Sequence, residues 1–233
     1  MTRKNLIVAL SLLAMMLGLA SCNFLENDEN QYSYQTLATL TASSQSEGST
    51  FLADGGITLR APAYPMPDSI QPDSRMLLYF SVWDYNMDNK NNSWTITLNA
   101  YRIIPTQSIY LLSDSTPDLA ANQQLSSFEY CSLKGDLATV SCYSFLSSGN
   151  IDKLMLTYDN RQDSLGRDGN YYVNLELKHY APSINVHQNQ WQLNSYDLSP
   201  LKEAYAGLTD TLYINFTFTV EKATTRGLKY ALR

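Results

Sequence analysis

From Arg75 to Trp83, apolar side chains fall at every second position, with Met76, Leu78, Phe80 and Val82 on one side and Leu77, Tyr79, Ser81 and Trp83 on the other. A period of two puts successive side chains on opposite faces of an extended chain, whereas a helix repeats every 3.6 residues. The pattern returns over residues 94–104, where Trp94, Ile96, Leu98 and Ala100 alternate with Thr95, Thr97, Asn99 and Tyr101. An Asn- and Asp-rich segment, 84–93, separates the two runs, which predicts a long hairpin. Shorter strands are expected at 35–41, 49–53 and 57–60, the last two joined by a turn at Asp54-Gly55-Gly56. Residues 61–73 hold Pro62, Pro65, Pro67 and Pro72. Proline donates no ladder hydrogen bond, so this stretch reads as a stiff surface loop.

A second series of strands follows Thr116-Pro117-Asp118, at 126–133, 137–145, 151–158, 171–180, 190–196, 211–221 and 228–232. Short strands separated by turn signals predict a two-sheet β-sandwich. Residues 199–207 form the one convincing helical turn, with Ser199 as N-cap, Pro200 in the first helical position and Gly207 closing the end. The expected division into two β domains falls near 113–118.

The N-terminus carries an address. Arg3 and Lys4 precede an apolar run from 6 to 20, long enough for the core of a signal peptide and too short to span a bilayer. It ends in Leu19-Ala20-Ser21-Cys22, which resembles the lipobox of bacterial lipoproteins. The resemblance implies that residues 1–21 are removed and that Cys22 takes acyl chains, palmitate among them, as its membrane anchor. Residues 22–35 are polar and acidic and read as a tether. Asn23 after the cysteine favours the outer membrane, with the protein facing the periplasm or the cell surface. Loss of 1–21 removes Arg3 and Lys4 and no acid, so the formal charge of −6 becomes more negative by two. Nucleic acid is a poor partner for such a chain, because phosphate recognition needs clustered cations.

The layout of a lipobox, a small β domain and a larger one is similar to that of the NigD-like lipoproteins. The resemblance is carried by Asp197-Leu198-Ser199-Pro200-Leu201, by Tyr171-Tyr172 and by the aromatic alternation from Tyr213 to Phe218. It implies an all-β fold, with a small OB-like barrel over 36–115 and an immunoglobulin-like two-sheet β-sandwich over 116–233. It also implies a bacteriocin-immunity role, and it brings no catalytic residues.

No constellation in the sequence identifies a reaction. Asp84-x-Asn86-x-Asp88 opens like a calcium loop, but Asn89 replaces the turn glycine and Thr95 the bidentate glutamate. Asp159, Asp163 and Asp168 share no motif. His179 and His187 lack zinc-site spacing, and no serine sits in a nucleophile elbow. Catalytic residues, metal ligands and cofactors are therefore expected to be none. Cys131 and Cys142 flank the turn at Lys134-Gly135-Asp136 and read either as a cross-strand disulfide or as two buried thiols. Asp68-Ser69-Ile70, Asp114-Ser115-Thr116, Asp163-Ser164-Leu165 and Asp210-Thr211-Leu212 resemble an O-glycosylation acceptor. Aromatic residues stand out, with 17 tyrosines and 3 tryptophans. Of these, Tyr64, Tyr85, Trp94 and Trp191 fall in loops or at strand ends, where aromatic rings meet sugars or protein partners. The expected function is a non-enzymatic binding module for a glycan or an envelope protein. Toxin sequestration is the alternative, and a hydrolase with dispersed carboxylates stands third.

Overall fold

The computed structural model describes residues 31–112, 122–147, 153–180 and 186–232. Cys22, the signal segment and Asp114-Ser115-Thr116 lie outside them. The chain divides into two compact units, Met1–Ile104 and Pro105–Arg233. The division thus falls earlier than the expected 115/116, because residues 106–111 pair with strands of the second unit.

The first unit contains β1 (Gln31–Ser44), β2 (Gly48–Ala53), β3 (Thr58–Ala61), β4 (Arg75–Trp83), β5 (Met87–Asp88), β6 (Ser93–Thr95) and β7 (Thr97–Ile103). The long β1 runs antiparallel to both β2 and β4. β2 pairs with β3, β3 pairs in parallel with β6, and β4 pairs with β7. β6 and β7 are one run of chain interrupted only at Ile96. That run bonds β3 at its start and β4 at its end, so the sheet closes on itself as an OB-like barrel. At the interruption the Ile96 N–H donates to the Arg60 carbonyl at 2.8 Å. Register shifts in β1 at Leu40/Ala42 and in the β4–β7 pairing at Tyr79/Phe80 supply the bending that closure needs.

The alternation of β4 reads out as expected, with Met76, Leu78, Phe80 and Val82 in the barrel core beside Leu40, Phe51, Leu59, Ile96 and Leu98. Two expectations change. β1 begins at Gln31, inside the expected tether, with Tyr32 opposite Val82 and Tyr34 opposite Phe80. The proline segment is more than a surface loop, since Met66 and Ile70 turn into the core while Pro62, Pro67 and Pro72 stay exposed. The Met66 N–H donates to Ser43 Oγ at 2.8 Å and Ser49 Oγ at 3.1 Å, which anchors the plug to the β1–β2 hairpin.

The second unit contains β8 (Thr106–Ser108), β9 (Tyr110–Leu111), β10 (Asn122–Gln123), β11 (Ser127–Lys134), β12 (Leu137–Ser147), β13 (Lys153–Tyr158), β14 (Ser164–Leu165), β15 (Tyr171–Tyr180), β16 (Val186–Asp197), α1 (Ser199–Tyr205), β17 (Thr211–Thr219) and β18 (Ala223–Ala231). One sheet runs β11-β12-β16-β8 and the other β18-β17-β15-β13-β9, with β10 and β14 beside β15. Their facing side chains form one core that includes Val140, Cys142 and Tyr196 from the first and Leu156, Leu175, Ile214 and Phe216 from the second. This is the expected sandwich. β8 and β9 lie in different sheets, and the buried Ile109 marks where the chain crosses between them. α1 starts on a cap different from the one expected. Leu198, not Ser199, holds the cap position without a side-chain bond, and Asp197 before it accepts the Ser199 N–H at 2.9 Å and the Ser199 hydroxyl at 2.9 Å.

The costliest polar feature of the barrel is Arg75, whose side chain is fully buried. Its guanidinium meets Asp54 with both prongs, at 2.6 and 2.5 Å, and Thr39 Oγ1 lies 3.4 Å away. A buried cation whose partner is deleted loses its compensation while remaining desolvated. Asp54→Ala should therefore destabilise the barrel by about 3 kcal/mol, at the low end of the range for buried pairs because Asp54 is partly exposed. Urea unfolding of this variant beside Thr36→Ala, a half-buried site with only a local hydrogen bond, measures the difference.

Candidate functional site

The barrel seam carries a groove of about 210 Å³, lined by Ala61, Pro62, Ala63, Tyr64, Asn86, Thr95, Ile96, Thr97 and Leu98. One wall is a four-residue turn from Ala61 to Tyr64, closed by the Tyr64 N–H donating to the Ala61 carbonyl at 3.1 Å. Pro62 occupies its second position, where the fixed φ of proline pre-forms such a turn. Behind it stands Gly48, at φ +72°, where a Cβ would lie 2.2 Å from the Ala61 carbonyl oxygen. Only glycine permits that approach, so the β2 start fixes the turn that carries Tyr64. The Tyr64 ring meets Tyr101 edge-on at 6.3 Å and stays 40% exposed.

The opposite wall comes from the 3₁₀ turn Asp84–Asn86, which places Asn86 on the groove. Its middle residue, Tyr85, is 81% exposed and stacks on Trp83 at 6.0 Å and 19°. The floor is the chain crossing at Ile96, where alternation turns Ile96 and Leu98 into the core and leaves Thr95 and Thr97 exposed.

Of the four aromatics expected to form a patch, the structure brings Tyr64 to the groove and Tyr85 beside it. Trp94 is half-buried against Tyr34 at 5.5 Å, and its indole N–H donates to Asn89 Oδ1 at 3.0 Å. Trp191 belongs to the other unit, where its indole N–H donates to Ser141 Oγ at 2.8 Å and Glu129 Oε2 at 3.1 Å. The two tryptophans therefore serve packing and local hydrogen bonding. The sequence reading met Asn86 and Thr95 only as positions of a failed calcium loop and Thr97 only as an outward strand residue, because polar residues in a turn and on a strand's outer face carry no binding signal of their own.

The acidic loops are occupied by their own chain. Asp88 accepts the Asn91 backbone N–H at 3.0 Å and its amide at 2.6 Å, which lowers its pKa. Asp159 caps a 3₁₀ turn and accepts from Arg161 Nε at 2.7 Å, which holds its carboxyl at about 2. Asp168 is lowered by hydrogen bonds from Tyr172 and Asn170. Asp163 joins Tyr158 and Tyr205, whose hydroxyls both donate to its Oδ2, the second at 2.5 Å. Burial, with Asp163 second, pushes Tyr158 up and Tyr205 up to about 12. His179 is buried in β15, and the backbone of His187 lies within β16, where a loop was expected. Ser69 and Ser164 of the acceptor-like tripeptides are exposed, while Thr211 is half-buried at the start of β17.

The disulfide alternative is corrected. Cys131 and Cys142 are free thiols, because the hairpin register sets Cys131 opposite Val140 and Cys142 opposite Phe128. The cysteines are thus two residues out of step. Burial pushes both thiols up to about 12.

No family model matches the chain, and no curated protein matches it. Solved structures do. A protein of unknown function from Bacteroides vulgatus superposes with a TM-score of 0.65 at 19% identity, over 85% of this chain and 90% of that one. A NigD-like immunity protein from Bacteroides caccae superposes with a TM-score of 0.57 at 14% identity, over 85% and 96%. The chain has the fold of a NigD-like protein. A candidate lipoprotein from Bacteroides fragilis superposes likewise, with a TM-score of 0.55 at 14% identity, over 86% and 98%. At these identities the NigD-like likeness is one of fold.

Two outcomes check the site chemistry. The native protein should leave Cys131 and Cys142 unmodified by a thiol reagent at pH 7.5 and expose both in urea, without prior reduction. Modification that requires a reductant would establish a bridge. Second, a tyrosine whose pKa is raised in the folded state stabilises below its ordinary value near 10, and that stability fades as pH rises towards the folded value. Between pH 10 and 12 the wild type should lose up to about 2 kcal/mol more than Tyr205→Phe, read from urea midpoints.

Proposed function

We propose that this chain is a lipid-anchored protein of the bacterial envelope that binds a partner in the barrel groove and catalyses no reaction on it. Anchoring rests on Cys22 at the end of a signal-like segment, and Asn23 favours the outer membrane, facing the periplasm or the cell surface. Binding rests on one observation above the others: a concave, pre-formed groove with an exposed tyrosine wall beside the protruding Tyr85. Convergent polar groups around an apolar floor are the usual make-up of a ligand site. Rigid placement through Pro62 and Gly48 lowers the entropy lost on binding. The partner is a glycan or an envelope protein.

A second reading, toxin sequestration at the envelope, is favoured by the shared fold with a NigD-like immunity protein. Binding and immunity separate experimentally. Cells carrying Cys22→Ser should incorporate no labelled palmitate and release the protein from the membrane fraction. Envelope polysaccharide and protein fractions should bind the wild type about tenfold or more tightly than Tyr64→Ala, a typical loss for an interface anchor. Mass spectrometry should recover the bound material chemically unchanged. Cleaved material would overturn the non-enzymatic reading. Raised bacteriocin sensitivity in a deletion strain would favour immunity instead.

A further inference from the structure

The groove discriminates among partner chemistries through its hydrogen-bonding groups. None of its nine lining residues carries a charge, although the chain as a whole is acidic. Ion pairing therefore contributes nothing inside it, and a charged ligand would lose hydration without compensation. Asn86, Thr95 and Thr97 add one amide and two hydroxyls. Among the described residues, these side chains and the Tyr64 hydroxyl make no hydrogen bond within the protein. At about 210 Å³ the space is smaller than a drug-sized pocket and fits a single ring or side chain.

Two kinds of neutral group have that size, an apolar side chain of a protein partner and a sugar ring. An apolar side chain would cover the amide and hydroxyls and leave them unpaired, which is penalised. A sugar ring offers hydroxyls to those groups and an apolar C–H face to the Tyr64 ring and to the exposed Pro62 and Ala63 beside it. We infer that the groove is a subsite for one neutral sugar unit of a glycan, with Tyr64 as its stacking platform and Asn86, Thr95 and Thr97 as its hydroxyl partners. This rests on the binding-module reading and narrows it. Tyr85 precedes Asn86 in the chain and stacks, exposed, on Trp83.

The test uses the full lipidated chain in a zwitterionic detergent that carries no sugar. Its probes are neutral oligosaccharides of glucose, mannose, galactose and xylose, oligogalacturonate as the charged control, and a Leu- and Phe-bearing peptide. Saturation-transfer NMR and competition titrations should show binding of at least one neutral oligosaccharide. Tyr64→Ala should weaken it by about tenfold or more, as loss of one stacked ring does. Tyr64→Phe should keep most of it, and Asn86→Ala should weaken it while thermal unfolding stays unchanged. Oligogalacturonate should fail to compete. If no neutral oligosaccharide binds, or if binding is indifferent to Tyr64→Ala, the inference is overturned. Peptide binding sensitive to Tyr64→Ala without sugar binding overturns the sugar subsite and leaves the binding-module reading standing. Failure of both probes at the groove overturns both.

Discussion

The first unit depends on one stretch of chain that serves two neighbours. Residues 93–95 bond β3 in parallel, residues 97–103 bond β4 antiparallel, and Ile96 between them donates to Arg60. Without that division the sheet would keep two free edges, and its inner face would lie open to water. With it, Met76, Phe80, Ile96 and Leu98 share one enclosed core. The groove follows from the same constraint. A strand that leaves one partner for another opens the wall where it crosses, and the Ala61 turn and the Asn86 turn stand on either side of that crossing.

Arg75 and the proline segment then complete the barrel. The segment supplies Met66 and Ile70 as a plug, with no regular secondary structure over it. Its prolines cannot join a ladder, but they hold a loop stiff enough to present two apolar side chains inward and Tyr64 outward. Arg75 is the reverse case, a buried charge on the other face of β4, tolerated because Asp54 takes both prongs of its guanidinium. The sandwich core packs on aromatic rings. There the stack of Phe128 on Phe218, with ring centroids 3.8 Å apart, joins β11 of one sheet to β17 of the other, and the Arg226 guanidinium lies 5.1 Å from the Phe128 ring centroid.

Much of this was legible in advance, and the exceptions share a cause. Alternation identified β4 and β15 to the residue, since a two-residue period reports directly which side chains face inward. It does not report which strand lies alongside. The parallel pairing of β3 with β6 joins residues more than thirty positions apart and leaves no local mark. β8 and β9 were missed for a related reason, being short and mostly exposed, with Ile109 the one buried side chain between them. The start of β1 hid behind tyrosines and polar residues in what read as a tether. The aromatic patch was half legible. Loop position pointed to Tyr64 and Tyr85, but it could not tell a free ring from Trp94, which Tyr34 and Asn89 hold. The cysteine register was out of step by the two residues that separate a cross-strand pair from a diagonal one.

Closure of the barrel at Ile96 builds the proposed neutral sugar subsite against Tyr64. A crystal structure of the protein grown with a neutral oligosaccharide tests it most directly. Density is expected for one pyranose ring lying flat on Tyr64, with its hydroxyls within hydrogen-bond distance of Asn86, Thr95 and Thr97. Density for the oligosaccharide at another surface, with the groove holding only water, would contradict it.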